Sequence, residues 1–314
     1  VGACLAGCAA RAPTLSALGS SAAPARLELA DVPFFPQQAY QCGPAALATV
    51  LTYSGRPTTP EALAPRVYLP GRQGSLQVEL VGAVRREDRI PYVIQASLAA
   101  LMAELQAGRP VVALQNLGLT RLPKWHFAVV IGYSKQDDAV VLRSGTRQRV
   151  NMSAYHFVRT WEPGGRWGLV VLRPGELPAA DDADGYLRAV AAKEAVTGPA
   201  GLVQAYRAAV ERWPESTLAR FGLANALRAN GQVAAAVAQY RVLVSESSGD
   251  AAALNNLADA LNALGCREPA LQTIERALAL MPEPDPRRDV ALQTREEILS
   301  GPPLGGGPRE VCTE

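Results

Sequence analysis

The sequence predicts an α+β domain over residues 27–173 followed by an all-α repeat domain over residues 184–284. Three observations predict it. Helical patterning gives way to strand patterning inside the first region, a polar acidic stretch separates the regions, and the second region is self-similar at a spacing of 34 residues. A chain of 314 residues is longer than one ordinary domain. Its hydrophobic content of 48% is that of a globular protein with a substantial core.

Taken in order, Leu27–Gln37 reads as extended chain. Gly43–Tyr53 is an apolar helix, and Leu76–Arg86 and Leu98–Ala107 are further helices; Gly71–Leu76 either caps the first of these two through Ser75, the favoured reading, or borders a cleft. Strand signals follow at Val111–Leu114, Phe127–Tyr133, Ala139–Arg143, Arg147–Asn151 and Leu169–Leu172, punctuated by Ser134–Asp138 and by Pro163-Gly164-Gly165. Residues 174–183 are a linker containing Pro-Gly and a run of Asp.

Beyond the linker the composition turns to Ala and Leu. Leu223-Ala224, Leu227, Gly231, Ala236 and Tyr240 recur as Leu257-Ala258, Leu261, Gly265, Ala270 and Ile274, each 34 residues on. This is the period of tetratricopeptide repeats, whose paired helices approach closely at small residues. Tyr206 extends the pattern backwards, giving three repeats over 184–284. Residues 285–314 are expected to form a capping helix, near Asp289–Leu299, and a disordered Gly/Pro-rich tail.

Charge is nearly balanced at 31 basic and 29 acidic residues, which gives no electrostatic case for a nucleic-acid partner. The five cysteines, Cys4, Cys8, Cys42, Cys266 and Cys312, lack the paired spacing of a zinc site or a disulfide framework, and no cofactor or metal is expected. His126 and His156 are the only histidines, so a base titrating near neutrality must be one of these two.

The chemistry-bearing stretch runs from Val32 through Pro36-Gln37-Gln38 to Gln41-Cys42-Gly43-Pro44. A cysteine opens a helix there, where unpaired backbone N–H groups favour the thiolate. Pro44 in the first turn forfeits no helical hydrogen bond. A glutamine upstream can donate to an oxyanion together with the Cys42 N–H. The second stretch is Lys124-Trp125-His126-Phe127-Ala128-Val129-Val130-Ile131-Gly132-Tyr133, with His126 opening an apolar strand.

Together these blocks resemble the bacteriocin-processing (double-glycine leader) peptidases and their relatives, which are papain-like. The resemblance implies a papain-like cysteine peptidase domain with Cys42 as nucleophile and His126 as general base. It favours Gln37, which follows Pro36, as the oxyanion residue, with Gln38 as the alternative. Where that family carries an Asp or Asn after the next strand, this chain has Ser144, a hydroxyl that can orient the imidazole but brings no charge. Asp137 and Asp138, on the preceding turn, are the alternatives. His156, on an expected helix after the sheet, has no partner motif, and Cys266 and Cys312 are expected to be non-catalytic, with a bond between the two left open.

Leu5-Ala6-Gly7-Cys8 resembles the lipobox of bacterial lipoproteins, and the Ala/Pro/Ser/Gly-rich residues up to 26 suit a flexible tether. The resemblance implies acylation at Cys8, loss of Cys4, and a lipid-anchored protein of the bacterial envelope on the periplasmic face of the outer membrane. The expected function is peptide-bond hydrolysis on a peptide or protein substrate, with the repeats binding a protein partner or the substrate. Two alternatives stand beside it: an inactive peptidase-like scaffold that binds peptides, and cell-wall amide hydrolysis or acyl transfer.

Overall fold

The computed structural model describes residue 15 and residues 23–37, 41–246, 249–301 and 312. The expected acylation site Cys8, the alternative glutamine Gln38 and residues 302–311 of the tail lie outside the described residues. The chain divides into two compact units, one running to Arg173 with Pro178–Asp181 added, the other holding Pro174–Leu177 and the chain from Asp182.

The first unit is an antiparallel sheet with helices packed on it. Its strands are β1 (Arg26–Glu28), β2 (Ile90–Val93), β3 (Val111–Asn116), β4 (Trp125–Ser134), β5 (Ala139–Ser144), β6 (Arg147–Ser153) and β7 (Gly168–Leu172). They lie in the order β2-β7-β3-β4-β5-β6, and β1 pairs with the later part of β4. The helices are α1 (Cys42–Tyr53), α2 (Pro60–Val67), α3 (Gln77–Arg86), α4 (Leu98–Gln106) and α5 (Ala154–Trp161).

Helix α1 is buried continuously from Gly43 to Leu51, which accounts for its apolar residues on every side. Leu47, Val50 and Leu51 join one core with Val112 and Leu114 of β3 and with Phe127, Val129 and Ile131 of β4. The β4 residues alternate, as one face of a strand must. Gly132 serves a close approach: a Cβ there would lie 2.3 Å from the Leu27 carbonyl oxygen, so a side chain would push β1 off the sheet.

Two elements escape the sequence reading, and both contain proline. Strand β2 holds Pro91 and sits at the sheet edge, where its missing N–H takes nothing from the ladder. Helix α2 starts on Pro60, is capped by the Thr59 side chain and carries Pro65 inside. Ser75 departs from its expected role. Helix α3 begins two residues later with Leu76 at the cap position and no side-chain cap, and Ser75 instead presses on Gly43 of α1.

The second unit is helical: α6 (Ala183–Thr197), α7 (Val203–Arg212), α8 (Thr217–Ala229), α9 (Val233–Glu246), α10 (Ala251–Ala263), α11 (Arg267–Ala279) and α12 (Pro286–Ser300). The starts of α6, α8 and α10 fall 34 residues apart, as do those of α9 and α11. Asp182, Ser216 and Asp250 repeat at the same interval, and each caps the following helix by accepting backbone N–H bonds. Tyr206, Tyr240 and Ile274 are buried at equivalent places, and Gly222 lets the Tyr206 ring lie flat against α8. The period therefore reflects a repeated capped helix with its inward face kept. Cys266 and Cys312 form a disulfide with Cα atoms 5.3 Å apart. Among the described residues no helix is long and apolar enough to cross a membrane.

Candidate active site

Cys42 is the first residue of α1. Gln41 provides no side-chain cap, so the first-turn N–H groups are left to face whatever occupies the helix mouth. Pro44 fits this turn because its nitrogen has no helical partner to lose. Gly43 fits for a steric reason: a Cβ there would stand 2.2 Å from Ser75 Oγ and 2.5 Å from Ser75 Cβ. The mouth of α1 and the loop before α3 are thus in direct contact.

Cys42 is the free thiol among the described residues and is partly buried. Burial pushes its pKa up from the ordinary value, and the backbone amides of Phe127, Gly43 and Cys42 only partly offset this. The expectation that the helix N-terminus leaves a lowered thiol pKa is therefore corrected. The amides are present, but loss of hydration outweighs them. The Phe127 contact also places the sulfur against the backbone of the residue that follows His126.

His126 is the second residue of β4, opposite Gln115 of β3. Its Nε2 lies 2.9 Å from Ser144 Oγ at the end of β5. The ring's Nδ1 has no hydrogen-bond partner among the described residues. Burial first, and the nearby Lys124 ammonium second, pull the imidazole pKa from 6.5 down to about 4. Around neutral pH both the imidazole and the thiol are therefore uncharged.

Gln37 joins the same place from the chain before α1. Its N–H donates to the Gly145 carbonyl at 3.1 Å, and its side-chain amide donates to the Phe127 carbonyl at 3.4 Å. Cys42, His126, Phe127 and Gln37 line one cleft of about 670 Å³, whose remaining walls come from Arg72–Leu76 and Pro123–Trp125.

The competing positions are elsewhere. Asp137 and Asp138 sit on the β4–β5 turn, at the far end of β4 from His126. Eight residues of strand at about 3.3 Å each separate them from the imidazole by about 25 Å. There Asp137 accepts from Ser134 Oγ at 2.8 Å, and Asp138 accepts from the Leu15 N–H at 2.7 Å. His156 is exposed on α5 and does not line the cleft.

Residues 29–167 match the Peptidase_C39 like family. The matched stretch holds every cleft residue named above. No curated protein matches the chain. Two solved structures are similar to it. One, from Bacillus anthracis and described as a C39-like peptidase, is 18% identical with a TM-score of 0.40, covering 47% of this chain and 98% of its own. The other is the peptidase domain of Streptococcus ComA, a bi-functional ABC transporter involved in quorum sensing, at 20% identity and a TM-score of 0.37, covering 45% of this chain and 98% of its own.

One contributor escaped the motifs altogether. Arg143 is buried, and its guanidinium donates to the carbonyls of Ala30, Val32 and Gln148. It fastens the chain that leads into Gln37 to the strand that ends in Ser144. The available signal is a single cation closing the apolar run Val140-Val141-Leu142.

Proposed function

We propose that the chain is a cysteine peptidase that hydrolyses a peptide bond through Cys42 and His126. The observation that carries this reading is the 2.9 Å contact of His126 Nε2 with Ser144 in the cleft that Cys42 opens, because it leaves Nδ1 as the ring nitrogen for the thiol proton. The Peptidase_C39 like match over the same residues supports it.

In this mechanism the resting pair is neutral. His126 takes the Cys42 proton as the sulfur adds to the substrate carbonyl. The oxyanion is met by the Cys42 N–H and the Gln37 amide, which swings from the Phe127 carbonyl. His126 then protonates the leaving amine, and water hydrolyses the thioester with the same base. Ser144 holds the ring in one tautomer and orientation but supplies no countercharge to the imidazolium, so the proton transfer is less favourable than beside a carboxylate.

The helical unit is read as three tetratricopeptide repeats over 184–284 that engage a protein partner or the substrate, on the strength of its 34-residue register. An envelope location with a lipid anchor at Cys8 rests on the lipobox, and the Cys266–Cys312 disulfide suits an oxidising compartment.

The test is covalent labelling with a thiol-directed peptide electrophile, with the modified residue identified by peptide mapping. Labelling at Cys42 that disappears in His126→Ala is expected. A Cys42 that stays unlabelled, or that labels equally well without His126, would leave a peptide-binding scaffold as the better description.

A further inference from the structure

The cleft is cationic without compensation. Arg72 and Lys124 both line it, and no aspartate or glutamate does. Neither side chain has an ion-pair or hydrogen-bond partner among the described residues, and both are exposed. Elsewhere in the same unit Arg56, Arg66, Arg109, Arg149 and Arg166 each meet a carboxylate. What sets Arg72 and Lys124 apart is their place: both stand on the lining of one cleft that holds no carboxylate.

Both charges stand on fixed supports. Arg72 ends a short 3-10 turn closed by the Leu69–Gly74 bridge, where the Leu69 N–H reaches the Gly74 carbonyl at 2.8 Å. The Lys124 N–H donates to Asn116 Oδ1 at 2.9 Å, and its carbonyl accepts from Leu117 N–H at 2.9 Å. The loops are held while the charged heads remain available. Beside Lys124, Trp125 is 48% exposed, a flat apolar surface next to the cation.

We infer that Arg72 and Lys124 select a peptide carrying an acidic side chain beside the scissile bond. The scissile bond rests on the peptidase reading; the charge preference itself concerns binding and stands apart from it. A cleft of one sign with low-dielectric walls concentrates ligands of the opposite sign and rejects like charge. The position of Lys124 adds a second consequence. Its ammonium is one cause of the weakened basicity of His126. A substrate carboxylate that neutralises it lifts this smaller cause, burial being the larger, and so raises the imidazole's basicity in part when the correct substrate is present.

The experiment has two arms. In the first, peptidyl acyloxymethyl ketones carrying a fixed Glu, Gln or Lys at each position in turn are compared for their rate of Cys42 labelling. At one position at least, Glu is expected to exceed Lys by about tenfold or more, and the order is expected to invert in Arg72→Glu/Lys124→Glu. Glu and Lys probes within about twofold of each other at every position, while Cys42 labels, would overturn the inference.

In the second arm the protein with Cys42→Ser is titrated by fluorescence anisotropy with a Glu-rich and a Lys-rich labelled peptide at about 0.1 M and about 1 M salt, where screening lengths are about 10 and about 3 Å. Preference for the Glu-rich peptide at low salt, lost at high salt and in the double charge reversal, supports the inference even if Cys42 proves unreactive. Equal binding of the two peptides at low salt overturns it, whatever the chemistry of Cys42.

Discussion

Replacing Ser144 by Asp tests the mechanism where it is weakest. The serine hydroxyl lies 2.9 Å from His126 Nε2. A carboxylate in its place puts the two charge centres about 4 Å apart, worth about 4 kcal/mol at an effective dielectric constant of about 20. Access of water to the cleft and the cost of desolvating the new carboxylate take back about half of this. The remaining ~2 kcal/mol favours imidazolium–thiolate over the neutral pair by roughly 30-fold. It moves the imidazole from about 4 back toward the ordinary 6.5. The assay is the pH–rate profile of iodoacetamide alkylation at Cys42, read by peptide mapping, together with NMR titration of the imidazoles. The chain has only two histidines, so His156→Gln leaves the His126 signal alone. Faster alkylation near neutral pH and a raised His126 pKa are expected. If Ser144→Asp folds but alkylates no faster, and His126 still titrates near 4, then Nε2 does not communicate with the thiol and the proposed roles fail.

Other predictions follow from the same cleft. His126 is held below its unfolded pKa, so as pH falls the unfolded chain binds the proton first. The stability tied to the neutral imidazole is complete above about 6.5 and is lost between there and about 4. This loss is about 3 kcal/mol, and urea unfolding midpoints across that range should fall less steeply for His126→Gln than for the native chain. Gly43→Ala forces a methyl to within 2.2 Å of Ser75 Oγ. It should cost about 1–3 kcal/mol, and Ser75→Gly in the same chain should recover most of it, a non-additivity that a double-mutant cycle in denaturant would show or deny. Gln37→Ala should lower kcat by about 100-fold with KM little changed, because its amide is needed only once the oxyanion forms; an equal rise in KM with kcat intact would reassign it to substrate binding.

What could be read from the residues and what could not separate along physical lines. The segments around Cys42 and His126 were legible because each is contiguous: a helix mouth with Gly and Pro in its first turn, and an apolar alternation opened by a histidine. The helical region was legible because its caps and inward residues recur at one interval. Strand β2 was not, since Pro91 argues against a strand until the edge position is known. Nor was the thiol's raised pKa. Local sequence reports the amides at the helix mouth, but the loss of hydration comes from the burial of the folded chain, which no local stretch encodes. The tie between Gly43 and Ser75 and the grip of Arg143 on Ala30 and Val32 are likewise products of packing, with a single odd residue as their only trace.

The bond from the Gln37 N–H to the Gly145 carbonyl has a consequence for how this cleft can fail or be retuned. Gly145 sits at φ +62, directly after Ser144, so the tight corner between β5 and β6 clasps the glutamine-bearing chain with one residue and steadies the histidine ring with the one before it. In the proposed mechanism, acid–base work and charge stabilisation on the carbonyl oxygen thus share a single hinge pin. An insertion at that corner would slacken both together, whereas an exchange of the Ser144 side chain alone reaches the imidazole and leaves the Gly145 carbonyl in place.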